Sequence, residues 1–382
     1  MAFFPSDLSL LRISDLETLI AAGEPESETL EFKSQPYVDS PDGSREFLKD
    51  ATALANTSGG ILIVGIQEVG GVATELKPIS SPDFDKHQLR LQNLLQSSVE
   101  PRLFGVQMQP VVLSTGYVLI IRVPPSNYPP HRVSAQNSNR FYLRHSAGVY
   151  EASLSELRGL FAQTGASSER LEALRRRRLS EIESSPTIVL VDRADRLILH
   201  IAPLSSNLGR PVDMAKAYAE SASLSPMDSN SYSPMFNADG FAAVGAGENC
   251  HGYTQIFREG LLEATKVGIV TDRGGERILP ARWIDTTILA ILPRYLSGLQ
   301  KIGISPPWIV MLSLVGINGV PVRFGHDAYF SRDAPSLTRS ALLLPSCLIA
   351  DLGTPEDYTR AIKPALDALW NAGGSAEWAP QR

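Results

Sequence analysis

The sequence predicts an α/β or α+β protein with two domains. Three observations carry that prediction. The chain has 382 residues, enough for two hydrophobic cores. Short apolar runs alternate along it with segments of helical period. Two of those runs, Ile61 to Ile66 and Trp308 to Val315, read as strands, the first buried on both faces. Hydrophobic residues make up 43% and charged residues 20%, the balance of a globular protein. The first domain is placed at 1–165, a charged helical linker at 166–185 and a second α/β domain at 186–382.

Taken in order, Ser14 to Ala21 is a short leading helix with Leu16, Leu19 and Ile20 on its apolar side. A second helix is expected from a cap at Ser44, carrying Phe47, Ala51, Leu54 and Ala55 at helical spacing. Asn56-Thr-Ser-Gly-Gly60 stops it, and the run Ile61 to Ile66 delivers Glu68 at its end. Asp83 to Leu95 is helical. Phe104, Val106 and Met108 lead to a turn at Ser114-Thr-Gly116, and Tyr117 to Val123 returns as a hairpin strand. Arg140 to Arg144 is a strand, and Ser153 starts a helix. Glu169 to Glu183 is a solvated helix containing Arg175-Arg-Arg-Arg178, with a nucleic-acid contact as the second reading. Beyond Pro186, strands are expected at Thr187 to Asp192, Arg196 to Ile201 and Phe241 to Val244, with a loop over Glu220 to Asn237. Tyr253 to Ala264 reads as a strand running into a helix. Trp283 to Leu299 and the segment after the Thr354-Pro-Glu-Asp357 cap are helices.

The stretch Glu26-Ser-Glu-Thr-Leu-Glu-Phe-Lys33 is the candidate site. From Thr29 to Lys33 polar and apolar residues alternate, which is the period of a half-buried strand. Glu31 and Lys33 then share a face. Glu26 sits on the preceding turn and folds back toward Glu31. Taken alone, such a pattern fits an exposed, charged strand edge better.

The chain resembles the AlbA-like domain of Schlafen-type proteins. The resemblance rests on Glu26 to Lys33, on Phe47-Leu-Lys-Asp-Ala-Thr-Ala-Leu-Ala-Asn-Thr-Ser-Gly-Gly60 and on Ile61-Leu-Ile-Val-Gly-Ile-Gln-Glu68. Pro129-Pro-His-Arg132 and Phe141-Tyr-Leu-Arg144 are similar to its later elements. It implies a mixed sheet flanked by helices. It also implies a divalent-metal-dependent endoribonuclease, with Glu26, Glu31 and Glu68 holding Mg²⁺ or Mn²⁺ and Lys33 neutralising a phosphate oxygen. Glu68 stands where the family often has aspartate, and Gln67 where it often has an acid. Structured RNA, transfer RNA first, is the implied substrate, with DNA the second candidate and phage defence a natural setting. His131, Arg132, Arg140 and Arg144 are the expected nucleic-acid contacts. They lie among aromatic residues, a mixture that suits phosphate pairing and base stacking and equally suits an ordinary strand with its aromatics turned inward.

A net charge of −6 argues against coating nucleic acid by bulk charge. There is no glycine loop of the phosphate-cradling kind, so an ATP switch is disfavoured. The apolar runs are too short to span a bilayer, and the N-terminus lacks the pattern of a signal peptide. With only Cys250 and Cys347, a reducing cytoplasm is expected. One AlbA-like stretch offers half of the two-lobed cradle of vertebrate Schlafen proteins, so a homodimer is expected. The C-terminal domain is expected to sense a trigger or mediate oligomerisation. The rival to the nuclease is a non-catalytic DNA- or RNA-binding regulator.

Overall fold

The computed structural model describes residues 4–5, 7–80, 83–126, 128–135, 139–146, 148–184, 188, 190–204, 212–229, 231–246, 250–324 and 336–380. It divides into two compact units, Met1–Arg170 and Leu171–Arg382. The fold is mixed α/β, as the alternation of elements predicts.

The first unit contains α1 (Ile13–Ala21), β1 (Leu30–Lys33), α2 (Pro41–Ala55), β2 (Gly60–Val64), β3 (Ile66–Val69), β4 (Val72–Leu76), α3 (Phe84–Ser98), β5 (Val99–Glu100), β6 (Gln107–Leu113) and β7 (Gly116–Val123). It continues through β8 (Arg132–Val133), β9 (Arg140–His145) and β10 (Gly148–Glu151) into α4 (Leu154–Ser184), a helix that also supplies the first residues of the second unit. The main sheet runs β1-β2-β7-β6, with β1 and β2 parallel and the other pairs antiparallel. Leu30, Phe32, Ile61 and Ile63 bury one face beneath α1. Leu62, Val64, Leu119 and Ile121 bury the other beneath α2 and α3. Burial on both faces explains why β2 is apolar at every position after Gly60.

Three local expectations change here. Helix α2 is capped by Ser40, whose hydroxyl accepts from the Gly43 amide, and Pro41 opens it; the expected cap, Ser44, lies inside the helix. The strand expected to end at Ile66 breaks at Gly65, which has a φ of +108°. Glu68 therefore rides on the separate β3–β4 hairpin, where a bulge between Gln67 and Glu68 re-aims its side chain. The strand expected from Phe104 begins at Gln107.

The Asn-Thr-Ser-Gly-Gly motif has a packing explanation. Buried Asn56 donates to the carbonyls of His131 and Tyr142, both at 3.0 Å, and accepts from the His131 amide. A Cβ on Gly60 would stand 2.4 Å from the Thr29 carbonyl oxygen, so only glycine lets β1 and β2 close there.

The second unit adds β11 (Arg196–Pro203), α5 (Met214–Ala219), β12 (Tyr232–Asn237), β13 (Gly240–Gly245), β14 (Gly252–Phe257), β15 (Leu262–Val267), β16 (Thr271–Arg273) and β17 (Glu276–Pro280). It ends with α6 (Ala281–Lys301), β18 (Trp308–Val315), β19 (Val322–Arg323), β20 (Ala341–Leu343), β21 (Cys347–Ile349) and α7 (Pro355–Ala372). Its large sheet is ordered β12-β13-β14-β15-β11-β18-β20, and β21 also pairs with β18. Leu197, Leu199 and Ile201 point to a core shared with α6 and α7. Ile198 points the other way, against Leu179 and Ile182 of α4.

Here Tyr253 to Ala264 is a hairpin, not a strand entering a helix: Gly260, at a φ of +92°, turns β14 back into β15. The serine- and proline-rich segment expected as loop carries the edge strand β12. Of the expected strand Thr187 to Asp192, Thr187 and Val189 lie outside the described residues, and no strand is formed at the others. Among the described residues, no helix is long and apolar enough to cross a membrane.

Candidate active site

Strand β1 places Glu31 and Lys33 on the face toward α2, as its alternation predicts. The Lys33 ammonium stands 2.9 Å from Glu31 Oε1 and 3.4 Å from both Glu46 Oε1 and Asp50 Oδ2. Burial works against that charge, but Asp50, Glu31 and Glu46 outweigh it and hold Lys33 above its ordinary pKa. The other Glu31 oxygen, Oε2, meets Arg144 Nη1 at 2.6 Å. Arg144 comes from β9, its side chain is 2% exposed, and it also donates to the carbonyls of Ser27 and Leu30 at 3.0 and 3.1 Å. One guanidinium thus fixes both the carboxylate and the backbone leading into β1.

Glu26 does fold back, as expected. Its Oε1 accepts the Phe32 amide at 2.9 Å, and its own amide donates to the Gly71 carbonyl at 2.6 Å. Glu68 turns to the same glycine, with Oε2 accepting the Gly71 amide at 2.6 Å. A Cβ on Gly71 would lie 3.9 Å from Glu26 Oε2. Two carboxylates therefore converge on one turn. Burial pushes the Glu26 carboxyl up; the Phe32 amide bond and Arg144 pull it down, and the charges of Glu31 and Glu68 add to the rise.

The three acids expected to act together are divided by their partners. Both Glu31 oxygens are matched by cations, whereas Glu26 Oε2 and Glu68 Oε1 accept no hydrogen bond among the described residues. Among the described residues, no three His, Cys, Asp or Glu side chains gather closely enough to hold a metal ion. The remaining donor set is two carboxylates. That suits Mg²⁺ or Mn²⁺, hard ions that accept one or two carboxylates and keep several waters.

The expected nucleic-acid contacts also separate. Arg144 is sealed in the site, so a phosphate contact is closed to it. His131 is 2% exposed: Nδ1 lies 2.6 Å from the Pro101 carbonyl and Nε2 2.6 Å from the Ser126 hydroxyl. A carbonyl only accepts, so Nδ1 carries a proton, and burial lowers the ring's pKa against the opposing Pro101 hydrogen bond. Arg132 pairs with Glu100, and Arg140, with its side chain 59% exposed, lies 3.3 Å from Glu151. These two remain on the surface.

Sequence reasoning gave no role to Asp50 and Tyr37. Asp50 is a buried acid on α2, and the Tyr37 hydroxyl donates to it at 2.8 Å. A signal was present: Asp50 follows Phe47 by three and precedes Leu54 by four, which sets a carboxylate in the apolar stripe of the helix.

Residues 26–153 match the family model described as Schlafen, AlbA_2. No curated protein matches the chain. Two solved structures are similar. The N-terminal domain of a RecG-related protein from Nitrosomonas europaea is 19% identical; the match covers 36% of this chain and 89% of that one, with a TM-score of 0.28. The DIP2311 protein from Corynebacterium diphtheriae is 13% identical; the match covers 96% of this chain and 62% of that one, with a TM-score of 0.27. Through the match over residues 26–153, the first unit contains a Schlafen-type AlbA-like domain.

Proposed function

We propose that the N-terminal unit acts on nucleic acid as a divalent-metal-dependent endoribonuclease, with structured RNA of the transfer-RNA kind as substrate. The observation that carries this reading is the convergence of Glu26 and Glu68 on Gly71, beside a lysine held against a third acid. Glu26 and Glu68 would hold Mg²⁺ or Mn²⁺. The ion, when bound, supplies a Lewis acid and an activated water. Lys33 neutralises a phosphate oxygen. Glu31 keeps Lys33 in place, and Arg144 fixes Glu31 and the Ser27–Leu30 backbone. Arg132 and Arg140 contact the RNA backbone, and two copies of the chain embrace one RNA. The C-terminal unit restrains the nuclease or mediates assembly.

The test is cleavage of transfer RNA by the full chain with Mn²⁺ or Mg²⁺. Glu26→Gln and Glu68→Gln are expected to abolish it while leaving circular dichroism unchanged. Intact RNA after incubation with the folded wild-type protein and either ion overturns the enzyme.

One observation favours a second reading, a non-catalytic DNA- or RNA-binding regulator. Both oxygens of Glu31 are already neutralised within the protein. Its signature is binding that survives Glu26→Gln and Glu68→Gln, with no cleavage by the wild type.

A further inference from the structure

Asp50 is a buried acid that the reading above leaves unused. It sits on α2 with 4% exposure, where an unpaired carboxylate would be costly. Two partners account for its presence. The Tyr37 hydroxyl, itself buried, donates to Asp50 Oδ2 at 2.8 Å, and the Lys33 ammonium lies 3.4 Å from the same oxygen. Tyr37 is fixed in turn by its ring against Phe47, at a centroid distance of 5.2 Å, and by Arg90, which donates to its carbonyl. The support runs from the core outward: Phe47, Tyr37, Asp50, Lys33, Glu31. Glu46, the remaining acid at Lys33, has a side chain 54% exposed and no such backing.

We propose that Asp50, seated on Tyr37, is a positioning residue that fixes the Lys33 ammonium against Glu31. The proposal rests on the nuclease reading for its catalytic consequence, though not for its structural one. A lysine carries a point charge on a flexible four-carbon stem, so its direction must be imposed by its surroundings. Asp50 imposes it from the buried side and leaves the exposed side of the ammonium for a phosphate. Glu46 only screens the charge.

The test uses the full chain and two readouts. In the first, the Lys33 ammonium is observed by nitrogen-15 NMR, where a held ammonium exchanges slowly with water. Wild type and Glu46→Gln are expected to show the signal. Asp50→Asn, which keeps the shape and loses the charge, is expected to lose it, and Tyr37→Phe to broaden it. In the second, RNA cleavage by Asp50→Asn is expected to lose about tenfold or more in kcat with KM little changed, and Asp50→Glu to recover part of that loss. A Lys33 signal that persists in both Asp50→Asn and Tyr37→Phe, or that is already in fast exchange in the wild type, overturns the proposal. If the wild type cleaves no RNA, the nuclease reading fails while the NMR comparison still decides the role of Asp50.

Discussion

Each unit of the protein builds a charge network around one glutamate on a sheet strand. In the first unit Glu31 is held by Arg144 and Lys33. In the second, Glu263 on β15 is held by Arg178 of α4, with Nε at 2.8 Å from Oε2, by His200 at 3.0 Å and by the Tyr253 hydroxyl at 2.8 Å. The second network is closed. The Glu263 side chain is 1% exposed, and although burial alone would raise its pKa, His200 and Arg178 bring it down to about 2. The first network is open on one side. Past Glu31 lie Glu26 and Glu68; burial raises the Glu26 carboxyl, and the charges of Glu31 and Glu68 add to the rise. A balanced buried network holds a fold together. An unbalanced one, such as that of the first unit, is a candidate place for a ligand.

The largest expected effect is in the closed network. Glu263→Ala leaves His200 without its carboxylate and Arg178 with only Glu181 as a partner acid, and breaking one partner of such a buried pair costs roughly 3–5 kcal/mol. Urea unfolding of the second unit should show that loss, and RNA cleavage per folded molecule should stay unchanged. Arg144→Ala is expected to destabilise the first unit at the lower end of the same scale, since Glu31 keeps Lys33 and some solvent; it should also abolish cleavage. A loss below about 1 kcal/mol in either variant, smaller than a typical single-partner deletion, would erase the distinction between a sealed network and surface ion pairs.

The pH dependence sharpens the comparison. A carboxyl depressed in the folded state stabilises fully above its unfolded value, about 4.3 for glutamate. That contribution is lost as pH falls through the folded value of about 2. Stability of the second unit is therefore expected to fall between those two points, and Glu263→Gln to flatten the fall. An unchanged acid slope in Glu263→Gln would place the charge elsewhere. The smallest effects belong to the surface arginines. Arg132→Ala and Arg140→Ala should each lower the salt slope of RNA binding by about one unit or less, with stability within about 0.5 kcal/mol.

The sequence made some of this legible. Alternation in β1 correctly put Glu31 and Lys33 on one face, because the strand is amphipathic. It could not orient Arg144, because β9 is buried at Tyr142, Leu143 and Arg144 alike, and alternation carries no information where both faces are covered. Arg175 and Arg178 were read as solvated. Their spacing with Leu179 and Ile182 matches one helical face: Arg175 is buried and donates to Ser313 and Leu344, and Arg178 is half-buried and donates to Glu263. A run of four arginines concealed that pattern. The sequence reads Tyr253 to Ala264 as a strand running into a helix, and misses the β14–β15 hairpin whose turn Gly260 marks. Glu68 was assigned to the site, but the route to it, through Gly65 and a bulge, depends on tertiary pairing that no local pattern contains.

The division of the acids into a free pair and a neutralised third is the central claim, and Mn²⁺ binding tests it most directly. Titration of the full chain, followed by paramagnetic resonance of the free ion, is expected to show one site. Glu26→Gln and Glu68→Gln should each weaken that site by about tenfold or more, and Glu31→Gln should weaken it less than either. Equal weakening by all three substitutions would put Glu31 in the metal shell, and no Mn²⁺ binding by the wild type would contradict the pair altogether.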